Sequence, residues 1–405
     1  MTLKIGVEYE RTTFDREGVL SNRGIDLVRK RPDIYHVEST QPEFEWSPPA
    51  PFERMVDLTN SCLEQEEVSR QVCEEYGVLA LPYSENGSGE RGKLNVPPDV
   101  VRLPLFERIL GHDTLLKVIP WVGIHYHLDI DRERVVDQYN ALLAFVAVTP
   151  AFTSTSLLDY GGKNSLNSHR QAVINREVSD IIPRDQGYVD NMGDILQRDE
   201  VNRMRWRNRF IDVGGDGEHF DKVFPDNNVG YSELKYRPNV GKGTLEPRMY
   251  DSAPVHILVS TAALLLGYWG RIQEERIPVR IADEGEKYDF SSREVVLPTW
   301  RDREDLRELQ IKKGLEPIEV LDYLGRAVHF AKPWLEARGE ERFLNPLHRM
   351  LLSGKNTSSK LDDFLLKTYV PVEGVFSVDA RKAAALYMWE QQQESVQRLE
   401  MMRGS

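Results

Sequence analysis

Four short segments of this chain alternate between apolar and polar residues, and most of their polar positions carry a charged or imidazole side chain. The segments are residues 3–10, 41–46, 122–130 and 243–250. A period of two is typical of strands with one buried face, because successive side chains of a strand point to opposite sides. The alternation therefore predicts four β-strands, each with an apolar back and a polar front.

The same parity predicts which polar side chains share the front face. Glu8 and Glu10 project together from the first strand. The later strands add Glu43 with Glu45, His125 with His127 and Asp129, and Glu246 with Arg248. Each pair alone is compatible with a solvated face, but four acidic strands side by side repel one another unless cations neutralise them. Carboxylates with one or two imidazoles favour Mg²⁺ or Mn²⁺ over Zn²⁺.

Helical patterns fill much of the remaining chain. Residues 52–76 and 131–148 have apolar positions near a 3.6-residue spacing, and after Leu297 the strand signals give way to helical ones. These patterns predict an α+β protein with a catalytic sheet domain at 1–297 and a helical region at 298–405. The helical region either covers the apolar back of the sheet or forms a subunit contact.

Several polar segments allow two interpretations. The segments 83–98 and 212–228 have few apolar residues and are predicted to be loops. The glycine-containing stretches at 89–93 and 241–243 lack the spacing of a phosphate-binding loop, which favours turns. RMRWRNR at 203–209, if a strand, places four arginines on one face, and these either bind phosphates or form a solvated surface.

Composition excludes several classes of partner. The formal net charge is −13 and the sequence pI is about 5.3, which disfavours nucleic acid and anionic membranes. The apolar runs around 141–148 and 257–268 are too short to cross a bilayer, and MTLKIGVEYE does not resemble a targeting segment. We therefore expect a cytoplasmic protein.

Cys62 and Cys73 are predicted to be structural thiols on one helix face.

Five motifs then occur in a specific order along residues 3–270. They are GVEYE, QPEFEWSPP, GIHYHLDI, TPAFTSTSLLDYGGKNSLNSHR and GTLEPRMYDSAP. Together they resemble the glutamate–cysteine ligase superfamily, especially its second bacterial branch, and the wider carboxylate–amine ligases related to glutamine synthetase. The resemblance implies a glutamine-synthetase-like fold, which has a curved, mainly antiparallel sheet with a polar concave face and helices on its back.

The resemblance also implies roles for individual residues. The implied ligands of the metal ions that bridge the ATP phosphates are Glu8, Glu10, Glu43, His125 and Glu246, and the choice between Glu43 and Glu45 is open. Arg248 is expected on the transferred phosphoryl group and Arg170 on a substrate carboxylate. Lys242 and Arg237, with Glu246, are candidates for binding the nucleotide. Glu45 and Asp251 are both open as proton acceptors, and His127 is open as a direct contact.

The implied reaction is ATP-dependent amide formation. A carboxylate attacks the γ-phosphate to give an acyl phosphate, which an amine then displaces. Glutamate or another amino acid is the expected carboxylate donor, whereas no motif identifies the amine acceptor. A guanidino-kinase-like phosphotransferase and a non-catalytic nucleotide-binding protein are the alternatives.

Finally, Pro247 cannot donate to a strand ladder, so its strand is predicted to lie at an edge or to carry a bulge.

Overall fold

The strands are defined in a computed structural model that describes residues 3–83, 101–156, 166–183, 187–225, 229–370 and 376–404. The motif GERGK at 89–93 and most of the predicted 83–98 loop lie outside these residues. The strands are β1 Ile5–Asp15, β2 Tyr35–Val37, β3 Glu43–Trp46, β4 Val78–Leu81, β5 Gly123–Asp129, β6 Leu234–Arg237, β7 Thr244–Pro247, β8 Tyr250–Asp251, β9 Val279–Ile281, β10 Asp289–Phe290 and β11 Val295–Leu297.

The described helices are interspersed with the strands up to β11, and after β11 the described chain is helical without strands. They are α1 Gly24–Lys30, α2 Met55–Tyr76, α3 Leu103–Leu110, α4 His112–Val118, α5 Val135–Phe145, α6 His169–Val173, α7 Ser179–Ile181, α8 Met192–Asp212, α9 Gly217–Val223, α10 Val255–Gln273, α11 Trp300–Lys313, α12 Ile318–Glu336, α13 Asn345–Ser353, α14 Thr357–Thr368 and α15 Val378–Gly404. A single turn of π-helix, Ile174–Val178, joins α6 to α7.

The main sheet has eight strands and only antiparallel pairs among the described residues. Its order is β2-β3-β1-β5-β7-β6, while β4 pairs with the end of β1 and β8 with the start of β5. Three of the four predicted strands correspond to β1, β3 and β5, whereas the fourth, predicted at 243–250, is divided into β7 and β8, and both of these pair with β5. A separate small sheet has the order β10-β11-β9. The prediction of a mixed α+β fold with a large antiparallel sheet and a helical C-terminal region is confirmed.

The apolar back of the sheet packs on helix α10. Val7, Phe44 and Tyr126 belong to the same buried cluster as this helix. Helix α10 is buried along nearly its whole length and contacts α2, α12, α13 and α15. It is long and apolar enough to cross a membrane by length and composition, contrary to the expectation for the run at 257–268. However, its whole apolar stretch is buried inside the protein, as in the core helix of a globular fold.

Pro247 lies at a bulge and not at a sheet edge. Leu128 pairs with Leu245, and Ile124 pairs with Tyr250. Four residues, 246–249, therefore lie opposite three, 125–127, so this side of the pairing carries one extra residue. Pro247 lies opposite Leu234 of β6, and β6 is the outer strand of the sheet. The proline thus coincides with the point where the ladder between β5 and its neighbour is interrupted.

The arginine-rich segment 203–209 is helical, so its interpretation as a strand was wrong. It lies inside α8, which begins with a capping box in which Asn191 and Asp194 satisfy each other's backbone N–H groups. Arg203 and Arg207 are four residues apart on the helix and both pair with Asp221. The arginines are engaged in intramolecular contacts, and the local helix signal outweighed the short alternation.

The predicted loop 212–228 also contains a helix. The Asp216 side chain accepts a hydrogen bond from the Glu218 N–H and begins α9, where Phe220 is fully buried. Helices α3, α4, α8 and α9 share a second apolar cluster that includes Trp206. By contrast, 241–243 forms the predicted turn between β6 and β7, with Gly241 and Gly243 at positive φ.

Candidate active site

Glu8 lies at the centre of the polar front face. It faces His125 across the β1–β5 pair, and its Oε2 is 2.9 Å from His125 Nδ1. Its other oxygen, Oε1, is 3.0 Å from His127 Nε2. Gly6 lies opposite His127, where an added Cβ would come within 3.1 Å of the His127 Cβ, so this glycine makes room for the imidazole.

A second group of carboxylates adjoins Glu8. Glu10 and Glu45 face each other across the β1–β3 pair, as the strand parity predicts. Within the described residues, three sets of side chains place their oxygen or nitrogen atoms within 4.8 Å of one another. These sets are Glu8 with Glu45 and His125, Glu10 with Glu38 and Glu45, and Glu8 with His127 and Glu246. Such convergence of hard oxygen ligands and imidazole is the arrangement that a divalent cation requires.

The structure separates Glu43 from these sets. Glu43 is buried, and its Oε2 accepts a hydrogen bond from the Thr40 N–H at 3.3 Å. It still lines the cavity described below, but Glu45 supplies atoms to two of the three sets. Glu38, which follows β2, completes one set and was missed in the sequence because it lies outside any alternating segment.

Glu246 is fully buried between two arginines. Its Oε1 lies 2.8 Å from Arg248 Nη1, and its Oε2 accepts a hydrogen bond from Arg237 Nε. The bulge explains how this strand presents so many groups to one side. Leu245 and Tyr250 both belong to the apolar core behind the sheet, whereas Arg248 and Met249 between them both line the front cavity.

A cavity of about 240 Å³ covers this face of the sheet. Its polar lining includes Glu10, Glu38, Glu43, His125, Arg102, Arg170, Lys235, Arg237 and Arg248. Its apolar lining includes Phe106, Val118, Ile119, Trp121, Ile174 and Met249, mostly from the small helical cluster around α3 and α4. A second cavity of about 340 Å³ shares Tyr231 and Ser232 with the first. Carboxylates therefore lie on one wall and cations on the other, with an apolar cover.

The charges on this face differ strongly in their electrostatic environment. Burial raises the pKa of Glu43 to about 8, and burial together with the charge of Glu8 raises that of Glu45 to about 8. Burial also opposes the ionisation of Glu246, but Arg248 and Arg237 outweigh it and lower its pKa to about 2. In Glu8, hydrogen bonds from both histidines overcome burial and lower the pKa. Of the carboxylates in the convergent sets, Glu45 therefore has a raised pKa, and a bound cation would favour its ionised form.

Arg170 lines the cavity from helix α6 and not from a loop. It is buried, and its guanidinium donates to the carbonyl oxygens of Tyr250 and Arg248 at 3.2 Å each. Arg170 thus holds the backbone of the bulge that carries Arg248. Asp251, a predicted proton acceptor, is fully buried and accepts hydrogen bonds from Ser156. This carboxylate fixes the segment before α6, and it does not line the cavity.

Two lysines make the cationic side chains of the carboxylate cavity differ from those predicted for the nucleotide site. Lys242 is exposed in the turn before β7 and lines a different cavity with Asp131 and Arg276, so the structure does not bring it to the carboxylates. Lys235 on β6 was missed, although it is buried and lines the carboxylate cavity. Desolvation, followed by the charge of Arg248, lowers its pKa well below the usual value. A single lysine in a short strand gives no sequence signal that its side chain lines a cavity.

Comparison with solved structures supports the fold. A bifunctional glutathione synthetase from Pasteurella multocida superposes with a TM-score of 0.60 at 13% identity, over 96% of this chain and 52% of that one. A glutamate–cysteine ligase (gshA) from Francisella tularensis in complex with AMP also gives 0.60 at 12% identity, over 100% of this chain and 93% of that one. This chain thus spans about half of the bifunctional enzyme. No protein-family model and no curated protein sequence matches it.

Proposed function

We propose that the protein is an ATP-dependent carboxylate–amine ligase. The observation that carries the proposal is that Glu10, Glu38 and His125, which belong to sets of metal-ligating atoms within 4.8 Å of one another, line the same cavity as Arg237 and Arg248. Both solved structures reported above are of ligases, and one of them holds AMP. A cavity with carboxylates for metal and guanidinium groups for phosphate suits phosphoryl transfer.

The residues present fit Mg²⁺ or Mn²⁺. Glu8, Glu10, Glu45 and His125 would hold the ions, with Glu38, His127 and Glu246 at the edges of the same sets. Burial, followed by the charge of Glu8, raises the pKa of Glu45, and a bound cation would favour its ionised form. When bound, the metal would neutralise charge on the ATP phosphates and on the phosphoryl group in transfer.

The protein's own groups would perform the activation of the carboxylate. The donor carboxylate oxygen attacks the γ-phosphorus, the bond to the ADP oxygen breaks, and an acyl phosphate remains. Arg248 is anchored by Glu246 and by the bulge, so it can face the transferred group with little loss of side-chain entropy. The apolar residues Phe106, Trp121 and Met249 would exclude water that otherwise hydrolyses the acyl phosphate.

The second half-reaction needs a proton acceptor. The amine nitrogen attacks the acyl carbon, phosphate leaves with the oxygen, and the nitrogen loses a proton. Because Glu45 contributes to the metal sets, we assign the proton acceptor to Glu43, which lines the cavity. Burial raises the pKa of Glu43 to about 8, so only its ionised fraction accepts the proton and the rate should rise with pH up to about 8. We propose an amino acid, glutamate being the first candidate, as the carboxylate donor, and the cytoplasm as the site of action.

The test is an ADP-release assay with the purified protein, ATP and Mg²⁺. Glutamate is supplied with a panel of amines that includes cysteine and other amino acids, and each donor and acceptor is also tested alone. The proposal expects equal amounts of ADP, inorganic phosphate and amide only when a carboxylate and an amine are both present. ADP with a phosphorylated acceptor and no free phosphate would indicate a phosphotransferase instead. Absence of turnover with every pair, despite ATP binding, would favour a nucleotide-binding protein.

A further inference from the structure

A third region of the protein, far from the carboxylates in the fold, combines a cavity with concentrated positive charge. The cavity measures about 590 Å³ and lies between the start of α10 and the helices α13, α14 and α15. It shares no lining residue with the carboxylate cavity. We call it the basic pocket, after its four cationic side chains, Arg342, Arg349, Lys360 and Arg398.

The charge of the basic pocket is largely uncompensated. No aspartate or glutamate is among its lining residues, although the whole chain carries a net charge of −13. Arg398 pairs with Glu394 at 2.9 Å, and Arg342 donates to the carbonyl oxygens of Met402 and Gly339. Within the part of the chain that the structure describes, Arg349 and Lys360 have no acidic partner within 4.0 Å. Four converging cations with one nearby carboxylate repel each other, so an anion between them would be stabilised.

His256 shows that these charges act on one point. This residue lies at the start of α10, is buried, and has its Nδ1 2.7 Å from Ser395 Oγ. Burial first, and then the charges of Arg398, Lys360 and Arg349, lower its pKa to about 3. Cations from α13, α14 and α15 therefore line one cavity together with His256. The positive potential is a property of how the three helices meet and not of any one of them.

The pocket also has an apolar floor. Ile257, Met350 and Met402 line it beside the cations, and Thr357 and Gln391 add neutral polar groups. Its volume lies within the range of about 300–1,000 Å³ that is typical of small-molecule sites. Unpaired cations such as Arg349 and Lys360 are common on an exposed surface, but here they line one cavity with Arg342 and Arg398, which concentrates the positive charge.

We propose that the basic pocket binds a small, multiply charged organic anion, with its phosphate or carboxylate groups on Arg349, Lys360 and Arg398 and its carbon skeleton on the apolar floor. This site is additional to the proposed ligase centre and does not depend on it. Arginine and lysine together suit such a ligand, because the planar guanidinium binds two oxygens at once and the ammonium acts as a point charge.

The pocket is connected to the candidate active site through the first residues of α14. Thr357 lines the pocket, and the preceding Asn356 donates hydrogen bonds to Asn167 Oδ1 at 2.6 Å and to the Ala151 carbonyl oxygen at 2.7 Å. Asn167 lies three residues before Arg170, which holds the bulge.

The experiment is calorimetric titration of the full chain with pyrophosphate and, separately, with citrate. Both titrations are made with a chelator present and at constant ionic strength. The test variant is Arg349→Glu with Lys360→Glu, and the matched control is Arg293→Glu with Arg301→Glu, which makes the same change in net charge at exposed sites elsewhere. Each charge-assisted hydrogen bond lost weakens binding about tenfold, so the test variant should bind at least about a hundredfold more weakly than wild type.

The control variant should stay within about twofold of the wild-type dissociation constant. Saturable binding of pyrophosphate or citrate that the test variant alone loses supports the proposal, and which of the two binds separates a phosphate ligand from a carboxylate one. The proposal is overturned if wild type binds neither anion. It is also overturned if both double variants weaken binding equally, since general charge would then be the cause. Because the two replaced side chains are exposed, thermal unfolding of the test variant should remain cooperative.

Discussion

Glu246 offers the most direct test of the electrostatics of the candidate active site. Replacing it with glutamine keeps the shape of the side chain but removes the charge between Arg237 and Arg248. The ordinary pKa of a glutamate here is taken as 4.5, and the two arginines lower it to about 2 despite burial. That difference corresponds to about 3 kcal/mol of free energy of unfolding, which the ionised carboxylate contributes at pH 7.

The expected change in melting temperature follows from the size of the chain. An unfolding entropy of about 2.1 cal/mol/K per residue gives roughly 0.85 kcal/mol/K for this protein, so Glu246→Gln should melt about 3–4 °C lower. The matched control is Glu53→Gln. Glu53 pairs with Lys4 at 3.1 Å, but both side chains are more than 40% exposed. Such a surface pair contributes about 1 kcal/mol or less, so the control should shift by about 1 °C or less.

The assay is differential scanning calorimetry with a chelator, so that no bound metal contributes. The sign of the pH dependence is fixed because the pKa of Glu246 is lowered in the folded state. The stabilisation is complete above pH 4.5 and is lost as the pH falls towards 2, so the difference between wild type and Glu246→Gln should be about 1 kcal/mol smaller at pH 4 than at pH 7. Equal melting temperatures for Glu246→Gln and Glu53→Gln at pH 7 would refute the reasoning.

Three further predictions concern activity and folding. Glu8→Gln or Glu10→Gln should reduce Mg²⁺-dependent ATP binding and lower turnover on the order of a hundredfold; calorimetric ATP binding that is indifferent to chelator would contradict this. Arg248→Lys should lower kcat with little change in the KM of the carboxylate donor, because lysine keeps the charge but loses the planar fork; an unchanged kcat in steady-state assays would contradict it. Truncation after Leu297 should give insoluble protein, because it exposes the face of α10 that α12, α13 and α15 cover; soluble, active protein would contradict this.

The sequence predicts the main sheet well because strand parity is a local property. Glu8 shares a face with Glu10 regardless of what surrounds them, since the alternation of side chains is built into the extended backbone. The adjacency of β1, β3 and β5 then follows from a shared need to bury their apolar backs. Alternation gave the wrong secondary structure at 203–209. This segment lies inside α8, a helix that begins with a capping box at Asn191.

The composition of the cavity was less accessible to sequence reasoning. Glu38 and Lys235 carry no motif, and only the sheet order places them beside Glu10 and Glu246. Lys242 was predicted to bind nucleotide because it is close to β7 in sequence, and the structure places it in a different cavity from the carboxylates. Closeness along the chain does not determine which cavity the side chain of a turn residue lines.

The sequence by itself determined the polar front, the apolar back and the identity of most carboxylates on that front, because each depends on alternation within a single strand. Only the tertiary structure decided that Glu45 joins the convergent sets while Glu43 does not, that the bulge at 246–249 brings Arg248 and Met249 to the same side, and that Arg170 supports that bulge. The basic pocket likewise exists only where four separate helices meet. The physical reason is that charge–charge and packing interactions act across space, over a few ångströms, between residues that the chain separates by tens or hundreds of positions.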